Sequence, residues 1–368
     1  MSVVAMYIAF QLAAFLFFTG EQNKIAALVA KEHFLGEPTF PMSRTYDAIF
    51  LIILAFSIAI AIYNTSLFTD AFVNIAFVSS VLISRNLMQI RGVYLGTQRN
   101  RLYSFSILLE NFLKFILVMV AAFTSQNYEF MVLGLAAAPA VTWAFHRIQL
   151  NKSFAVSQQI DGGITKLFST FLFIQLSFFL TFDLPYILIN TTSGSSELSA
   201  SLAFLGIFAK IIFFGSISFS LIVIAKIAGS SNSVDNLRTL NMSYLMIIIG
   251  SINLVVLTAF FPNEIILLIS TSNFLYLSDK LYVALTSACC FTLLFVTLNG
   301  LAAKNDIFLS RIVVTLLAAT TFLSVGVSAE YLSVSQFLYC QIILFLIFLL
   351  FCNLMMRMDQ IGQKLRSN

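Results

Sequence analysis

The chain reads as an all-α, polytopic transmembrane helical bundle, on three observations. Of its 368 residues, 60% are hydrophobic and 10% charged, and the mean hydropathy is +0.95. The apolar residues gather in eleven continuous stretches, near 2–20, 46–63, 70–92, 103–124, 129–147, 164–190, 199–228, 240–262, 279–300, 307–327 and 333–357. Lysine and arginine fall in every second gap between the stretches and are missing from the gaps in between. Each stretch approximates the ~20 apolar residues that cross ~30 Å of hydrocarbon as a helix. So many apolar runs would leave a soluble protein almost no polar face. Their lack of two-residue alternation excludes a transmembrane barrel.

The charges orient these elements in order. Lys24, Lys31 and Arg44 follow the first stretch; Arg85, Arg91, Arg99 and Arg101 close the third; Arg147, Lys152 and Lys166 follow the fifth. Lys226 and Arg238 follow the seventh, Lys304 and Arg311 the ninth, and Arg357, Lys364 and Arg366 the last. The gaps near 64–69, 125–128, 191–198, 263–278 and 328–332 hold none. Positive residues are retained in the cytoplasm during insertion, so these latter gaps are outer and the C-terminus is cytoplasmic. The net charge of +4 is accounted for by topology and implies no nucleic-acid partner.

A cytoplasmic C-terminus after eleven crossings puts Met1 outside, with no preceding span to carry it there. The chain divides into an N-terminal lobe of five helices (1–150), a cytoplasmic linker (151–163), a C-terminal lobe of six helices (164–357) and a cytoplasmic tail (358–368). Five plus six predicts a six-plus-six architecture lacking its first helix: either the start lies too far downstream or the chain is a defective copy. Weak internal similarity supports the pairing. Ile25–Lys31 resembles Leu221–Lys226, and Arg91–Leu95 parallels Asn299–Ala303. Both pairs lie six helices apart and face the same side, which predicts two parallel, pseudo-repeated lobes.

Other residue types set bounds. Cys289, Cys290, Cys340 and Cys352 lie inside apolar stretches and read as small packing residues, with no metal site expected. His33, His146, Tyr94, Tyr103 and Trp143 read as interfacial residues, and the 40 phenylalanines suit a lipid-facing surface. Gly92 and Gly96 form a Gly-x-x-x-Gly pair for close helix packing. No phosphate-binding loop, zinc-protease motif, nucleophile elbow or paired-carboxylate arrangement is present, so the chain is not expected to be an enzyme.

The run Gln89-Ile90-Arg91-Gly92-Val93-Tyr94-Leu95-Gly96-Thr97-Gln98-Arg99 resembles the end of the fourth helix of bacterial polysaccharide and O-antigen flippases, commonly Arg-Gly-x-x-x-Gly-x-Gln. A Glu-containing helix follows in that family, as with Glu110, and then one rich in Ala and Pro, as in Gly134–Ala140. Phe182-Asp183-Leu184-Pro185 and its aliphatic continuation resemble the family's seventh helix. The resemblance spans nearly the whole chain in helix order. It implies the multidrug/oligosaccharidyl-lipid/polysaccharide exporter fold: two six-helix lobes around a central cavity, working by alternating access. It further implies a substrate, polyprenyl-diphosphate-linked oligosaccharide, moved across a bacterial cytoplasmic membrane for O-antigen, capsule or exopolysaccharide synthesis. A polysaccharide polymerase and chain-length proteins are the partners such a pathway implies, beside the lipid bilayer. No cofactor is expected, with H⁺ and Na⁺ as candidate coupling ions.

Ionisable residues at membrane depth are costly and are therefore the candidate functional residues. Lys210 lies roughly 17 Å into its helix; it either contacts the diphosphate or pairs structurally with a carboxylate such as Asp183 or Glu110. Glu110 and Lys114, at i and i+4, share a helix face and can pair; Lys114 would join Lys210 in an electropositive cavity, oriented by Glu110. Arg85 either meets phosphate at the cytoplasmic mouth or snorkels to headgroups. Asp183 stands two residues before Pro185, which removes a backbone donor and kinks the helix. That pair suits a gate or cation-coupling site, or a carboxylate at a wet outer rim. Lys210, Lys114 and Arg85 are thus the substrate-binding candidates, and Asp183, Pro185 and Glu110 the gating or coupling candidates. A cation-coupled multidrug exporter of the same fold, a membrane glycosyltransferase or polymerase of the same pathway, and a membrane scaffold are the competing functions.

Overall fold

The computed structural model describes residues 18–30, 71–124, 128–150, 164–192, 196–230, 232–269, 272–304 and 308–367, and these are helical almost throughout. The apolar stretch at 46–63, the gap at 64–69, His33 and the linker at 151–163 lie outside the described residues. The helices are α1 (18–30), α2 (Ala71–Gly96), α3 (Asn100–Thr124), α4 (Tyr128–Leu150), α5 (Ile164–Phe182) and α6 (Leu184–Thr192). They continue with α7 (Ser196–Ala228), α8 (Ser233–Phe260), α9 (Pro262–Ile269), α10 (Ser278–Ala303), α11 (Leu309–Ser328) and α12 (Val334–Ser367). Five of them are long and apolar enough to cross a membrane. The fold is a polytopic transmembrane helical bundle.

Helix ends follow local chemistry. At the end of α2, Gln98 takes a left-handed φ of 58°, while Arg99 N–H donates to the Tyr94 carbonyl at 2.7 Å and Gln98 N–H to that of Leu95 at 3.0 Å. These two bonds are the Schellman pattern, which satisfies carbonyls the helix leaves open. The motif's final glutamine is thus the residue that turns the chain. Glu330 (φ 61°) ends α11 the same way, with Tyr331 N–H donating to Gly326 O at 3.0 Å. Asn232 caps α8 by accepting from Val234 N–H at 3.0 Å.

Two boundaries differ from the sequence expectation. Residues 21–30, read as the start of a cytoplasmic gap, continue α1 and are almost entirely buried; Lys24 is 2% exposed and is not a loop charge. Gly20 did not end the helix, because Glu21–Ala30 contains only helix-compatible residues and its second half is apolar. The gap at 263–278, expected to be a loop, holds most of α9 (Pro262–Ile269) and a 3₁₀ turn (Ser272–Leu277). That turn is tied to α7: Phe274 stacks on Phe204 with centroids 4.4 Å apart, and Tyr276 and Ser201 hydroxyls meet at 2.7 Å.

The chain forms two compact units, Met1–Leu172 and Phe173–Asn368. In the first, α1 and α2 pack backbone to backbone at the two glycines. A Cβ on Gly92 would lie 2.7 Å from Gln22 O and 2.9 Å from Ile25 Cβ; one on Gly96 would lie 2.6 Å from Val29 Cβ. In the second unit α10 is the central helix, buried along nearly its whole length and packed against α7, α8 and α12. Gly300 of α10 faces Val223 and Ile227 of α7, with a Cβ meeting them at 3.3 and 3.1 Å. Within the segments paired from sequence, Ile25 lies against Gly92 and Val223 against Gly300.

Many phenylalanines are core rather than lipid-facing. Phe178 stacks on Phe213 at 4.2 Å; Phe213 meets Phe295 at 4.8 Å edge-on; Phe291 meets both Phe182 and Phe345 at 5.2 Å. Small residues along α10, such as Ala284, Ser287 and Ala288, make room for these rings.

Candidate functional site

In the second unit, the break between α5 and α6 is built from Asp183 and Pro185. Asp183 closes the last turn of α5, its N–H donating to Phe179 O at 2.9 Å. Pro185 has no N–H for the Thr181 carbonyl four residues back. That carbonyl instead accepts from the Gln341 amide of α12 at 3.3 Å, whose own Oε1 takes the Ser287 hydroxyl of α10 at 3.0 Å. One residue earlier, Leu180 O accepts from the Ser324 hydroxyl of α11 at 3.4 Å. Beside the break lies a small cleft lined by Thr181, Pro185, Gly206, Ala209, Ala284 and Gln341.

Lys210 of α7 reaches into this break. Its Nζ lies 2.5 Å from Asp183 Oδ1, with side-chain exposures of 26% and 1%. Asp183 is therefore a buried counter-ion rather than a carboxylate at a wet rim. Oδ2 has no hydrogen-bond partner, although Tyr186 adjoins the carboxylate. Of the two readings of Lys210, the structure shows the pairing with Asp183.

The first unit holds a larger buried polar layer. Glu21 of α1 accepts from Arg85 of α2 through Nε at 3.1 and 3.3 Å and Nη2 at 3.1 Å, and from Gln89 at 2.9 Å. Arg85 is thus buried and paired, and does not snorkel to headgroups. Glu110 of α3 binds Lys114 at 2.5 Å, as the i,i+4 spacing requires. It also binds Arg91 Nη2 of α2 at 2.6 Å. Arg91 further donates to the Ser106 hydroxyl and carbonyl, both at 2.9 Å. Read from sequence as a topology charge, Arg91 is 3% exposed. Tyr94 and His146 are likewise buried rather than interfacial, their hydroxyl and Nδ1 meeting at 3.1 Å.

Three participants escaped sequence reasoning: Glu21, the buried role of Arg91, and Gln341. Glu21 sits where an apolar stretch was taken to end, although the apolar run Ile25–Ala30 just beyond it was the available signal. Arg91 sits inside the run that carried the family resemblance. Gln341 had a weaker signal: a carbonyl freed by Pro185 needs a donor, and Gln341 is one of several amides in α12. Lys114 and Lys210 belong to different units, and each has a carboxylate partner in its own.

The site is thus a set of buried ion pairs inside a transmembrane bundle, arranged around helix breaks and close helix contacts. The sequence matches no protein-family model and no curated protein. Among solved structures, the chain is similar to a multidrug resistance MATE family transporter of the MOP superfamily in an outward-facing conformation. The TM-score is 0.67 at 13% identity, over 98% of this chain and 87% of that one. It is also similar to a MATE structure in a bent conformation, with TM-score 0.57 at 12% identity over 96% and 86% of the two chains. These likenesses establish the fold.

Proposed function

We propose that the chain is an alternating-access transporter that moves polyprenyl-diphosphate-linked oligosaccharide across a bacterial cytoplasmic membrane for surface polysaccharide synthesis. The observation that carries this reading is the charge balance of the Glu110 cluster in the first unit. Glu110 is shared by two cations, the buried Arg91 and the part-exposed Lys114, which leaves that cluster one net positive charge. Buried charge is costly unless paired. A cluster whose accessible end is a cation therefore suits a substrate that brings negative charge of its own, as a diphosphate does. The likeness to MATE transporters supports the transport mechanism.

Lys114 is placed for such contact. Taking 100° per residue, Tyr103, Ser106, Glu110 and Lys114 share one face of α3. The exposed apolar residues Phe105, Leu108, Phe112 and Phe115 occupy the opposite face. Lys114 thus opens away from the lipid-facing stripe. Lys210 and Arg85 remain substrate-binding candidates, and Asp183, Pro185 and Glu110 gating or coupling candidates, with H⁺ or Na⁺ as coupling ion.

A second reading, a cation-coupled multidrug exporter, is favoured by a buried carboxylate with one open oxygen at a proline break and by the description of the outward-facing neighbour as multidrug resistant. One experiment separates the two. A flippase-null strain carrying the wild-type chain should regain surface polysaccharide, and the Lys210→Ala variant should accumulate inward-facing lipid-linked oligosaccharide. Normal surface glycan with that variant removes Lys210 from the mechanism. Absence of glycan rescue by the wild type, with a gain in resistance to cationic dyes, decides for the exporter.

A further inference from the structure

We infer that Arg91 is a positioning residue for substrate binding: it holds Glu110, and Glu110 presents the Lys114 ammonium to a phosphoryl oxygen of an anionic ligand. The inference rests on the reading that Lys114 contacts substrate, and adds the device that aims it.

The contacts form a chain running from the interior outward. Arg91 is fixed first, by two 2.9 Å bonds to the hydroxyl and carbonyl of Ser106 and a sulfur contact to Met88 at 3.9 Å. Its remaining Nη2 contact is the 2.6 Å pair with Glu110 Oε2. The other oxygen, Oε1, takes Lys114 at 2.5 Å. Side-chain exposure rises along the chain from 4% at Arg91 through 9% at Glu110 to 35% at Lys114. Each carboxylate oxygen of Glu110 thus holds one cation. Arg91 and Lys114 against Glu110 leave one net positive charge, and its accessible end is the ammonium.

The backbone beneath is equally constrained. Gly92, next to Arg91, packs against Gln22 O and Ile25 of α1 with no space for a Cβ. Arg91 therefore projects from a helix packed closely against α1 at the next residue. Lysine at 91 could not reproduce the geometry, because its single ammonium lacks the planar fork that reaches Ser106 and Glu110 together. A flexible lysine on a lipid-flanked helix loses entropy when it binds a ligand; one already held in place loses less.

The test uses the full chain in lipid nanodiscs, with farnesyl diphosphate as the probe, and farnesol and inorganic pyrophosphate as controls. The double variant Arg91→Met/Glu110→Gln keeps the same net charge as the wild-type cluster, since only Lys114 remains charged, and buries no unpaired ion. The expected result is a thermal midpoint near wild type, unchanged farnesol binding, and farnesyl diphosphate binding weaker by about tenfold. Arg91→Lys should lie between wild type and the double variant. A merely structural role for Arg91 would lower the thermal midpoint but leave the Kd of the folded fraction unchanged. If Lys114→Ala loses binding while Arg91→Met/Glu110→Gln and Arg91→Lys bind like wild type, the positioning role is overturned and the Lys114 contact stands. If Lys114→Ala itself binds like wild type, the contact falls and the positioning role falls with it. Should the double variant fail to fold, Arg91→Lys and Ser106→Ala carry the same comparison.

Discussion

Asp183 is buried and holds Lys210 Nζ on Oδ1, with Tyr186 beside the carboxylate. Removing one member of a buried ion pair strands the other, at about 3–5 kcal/mol, whereas replacing both by neutral groups costs far less. Lys210→Met should therefore lower the thermal midpoint of the protein in detergent sharply. Lys210→Met/Asp183→Asn should recover most of that loss. A single variant as stable as wild type would mean that water or another group solvates Asp183 once the lysine is gone. Gln341→Leu tests the neighbouring contact: it leaves the Thr181 carbonyl without the donor it uses beside Pro185, and should cost about 1–3 kcal/mol by the same measurement. Lys210 and Asp183 were each legible as membrane-depth charges, because such residues are rare in apolar stretches. Their pairing was open, because it depends on the hairpin between α6 and α7 bringing together residues 27 apart. Gln341 was not singled out, since nothing in its own segment marks an amide that serves a carbonyl in α5.

At the scale of elements, the close approaches are concentrated at glycines. Gly96 faces Val29 Cβ at 2.6 Å and Ala26 O at 2.8 Å from an added methyl, so Gly96→Ala forces α1 and α2 apart. Gly250 of α8 has nothing within 4 Å of an added methyl. Overpacking costs about 1–3 kcal/mol, while alanine in a helix gains about 0.5–1 kcal/mol over glycine. Gly96→Ala should thus lower the thermal midpoint and Gly250→Ala leave it unchanged or raise it. Equal midpoints for the two variants would show that α1 does not bear on α2 at Gly96. The Gly-x-x-x-Gly spacing was readable from sequence as a packing pair; its partner was less so. Lys24 and its polar neighbours made residues 21–30 look like a loop, yet Glu21, Gln22, Asn23 and Lys24 are buried within the bundle and the helix continues to residue 30. Polar residues end a transmembrane stretch only where water, rather than a neighbouring helix, supplies their partners.

For the whole molecule, hydropathy made the bundle legible because lipid admits few alternatives to a helix with every backbone bond closed internally. Orientation is a separate matter, carried by the cation alternation, and it is open to direct test. Four positions provide the reporters: the exposed Asn100 at the start of α3 and the part-exposed Ser230 between α7 and α8, against the exposed Asn263 in the first turn of α9 and Tyr331 between α11 and α12. The four native cysteines, two buried and two partly so, would first be replaced by alanine. Single cysteines at Asn263 and Tyr331 should then react with a membrane-impermeant maleimide in intact cells. Those at Asn100 and Ser230 should react only after permeabilisation, because Arg99, Arg101, Lys226 and Arg238 beside them favour retention in the cytoplasm. The reverse pattern would invert the chain and put the Lys114 end of α3 on the cytoplasmic side. Labelling of Asn100 from one side and Ser230 from the other would mean an odd number of crossings between them, where the cation alternation, with α5 and α6 as one crossing, predicts four. That outcome would break the correspondence between Arg91–Leu95 and Asn299–Ala303, since repeats related by a parallel operation must present matching ends to the same side of the membrane.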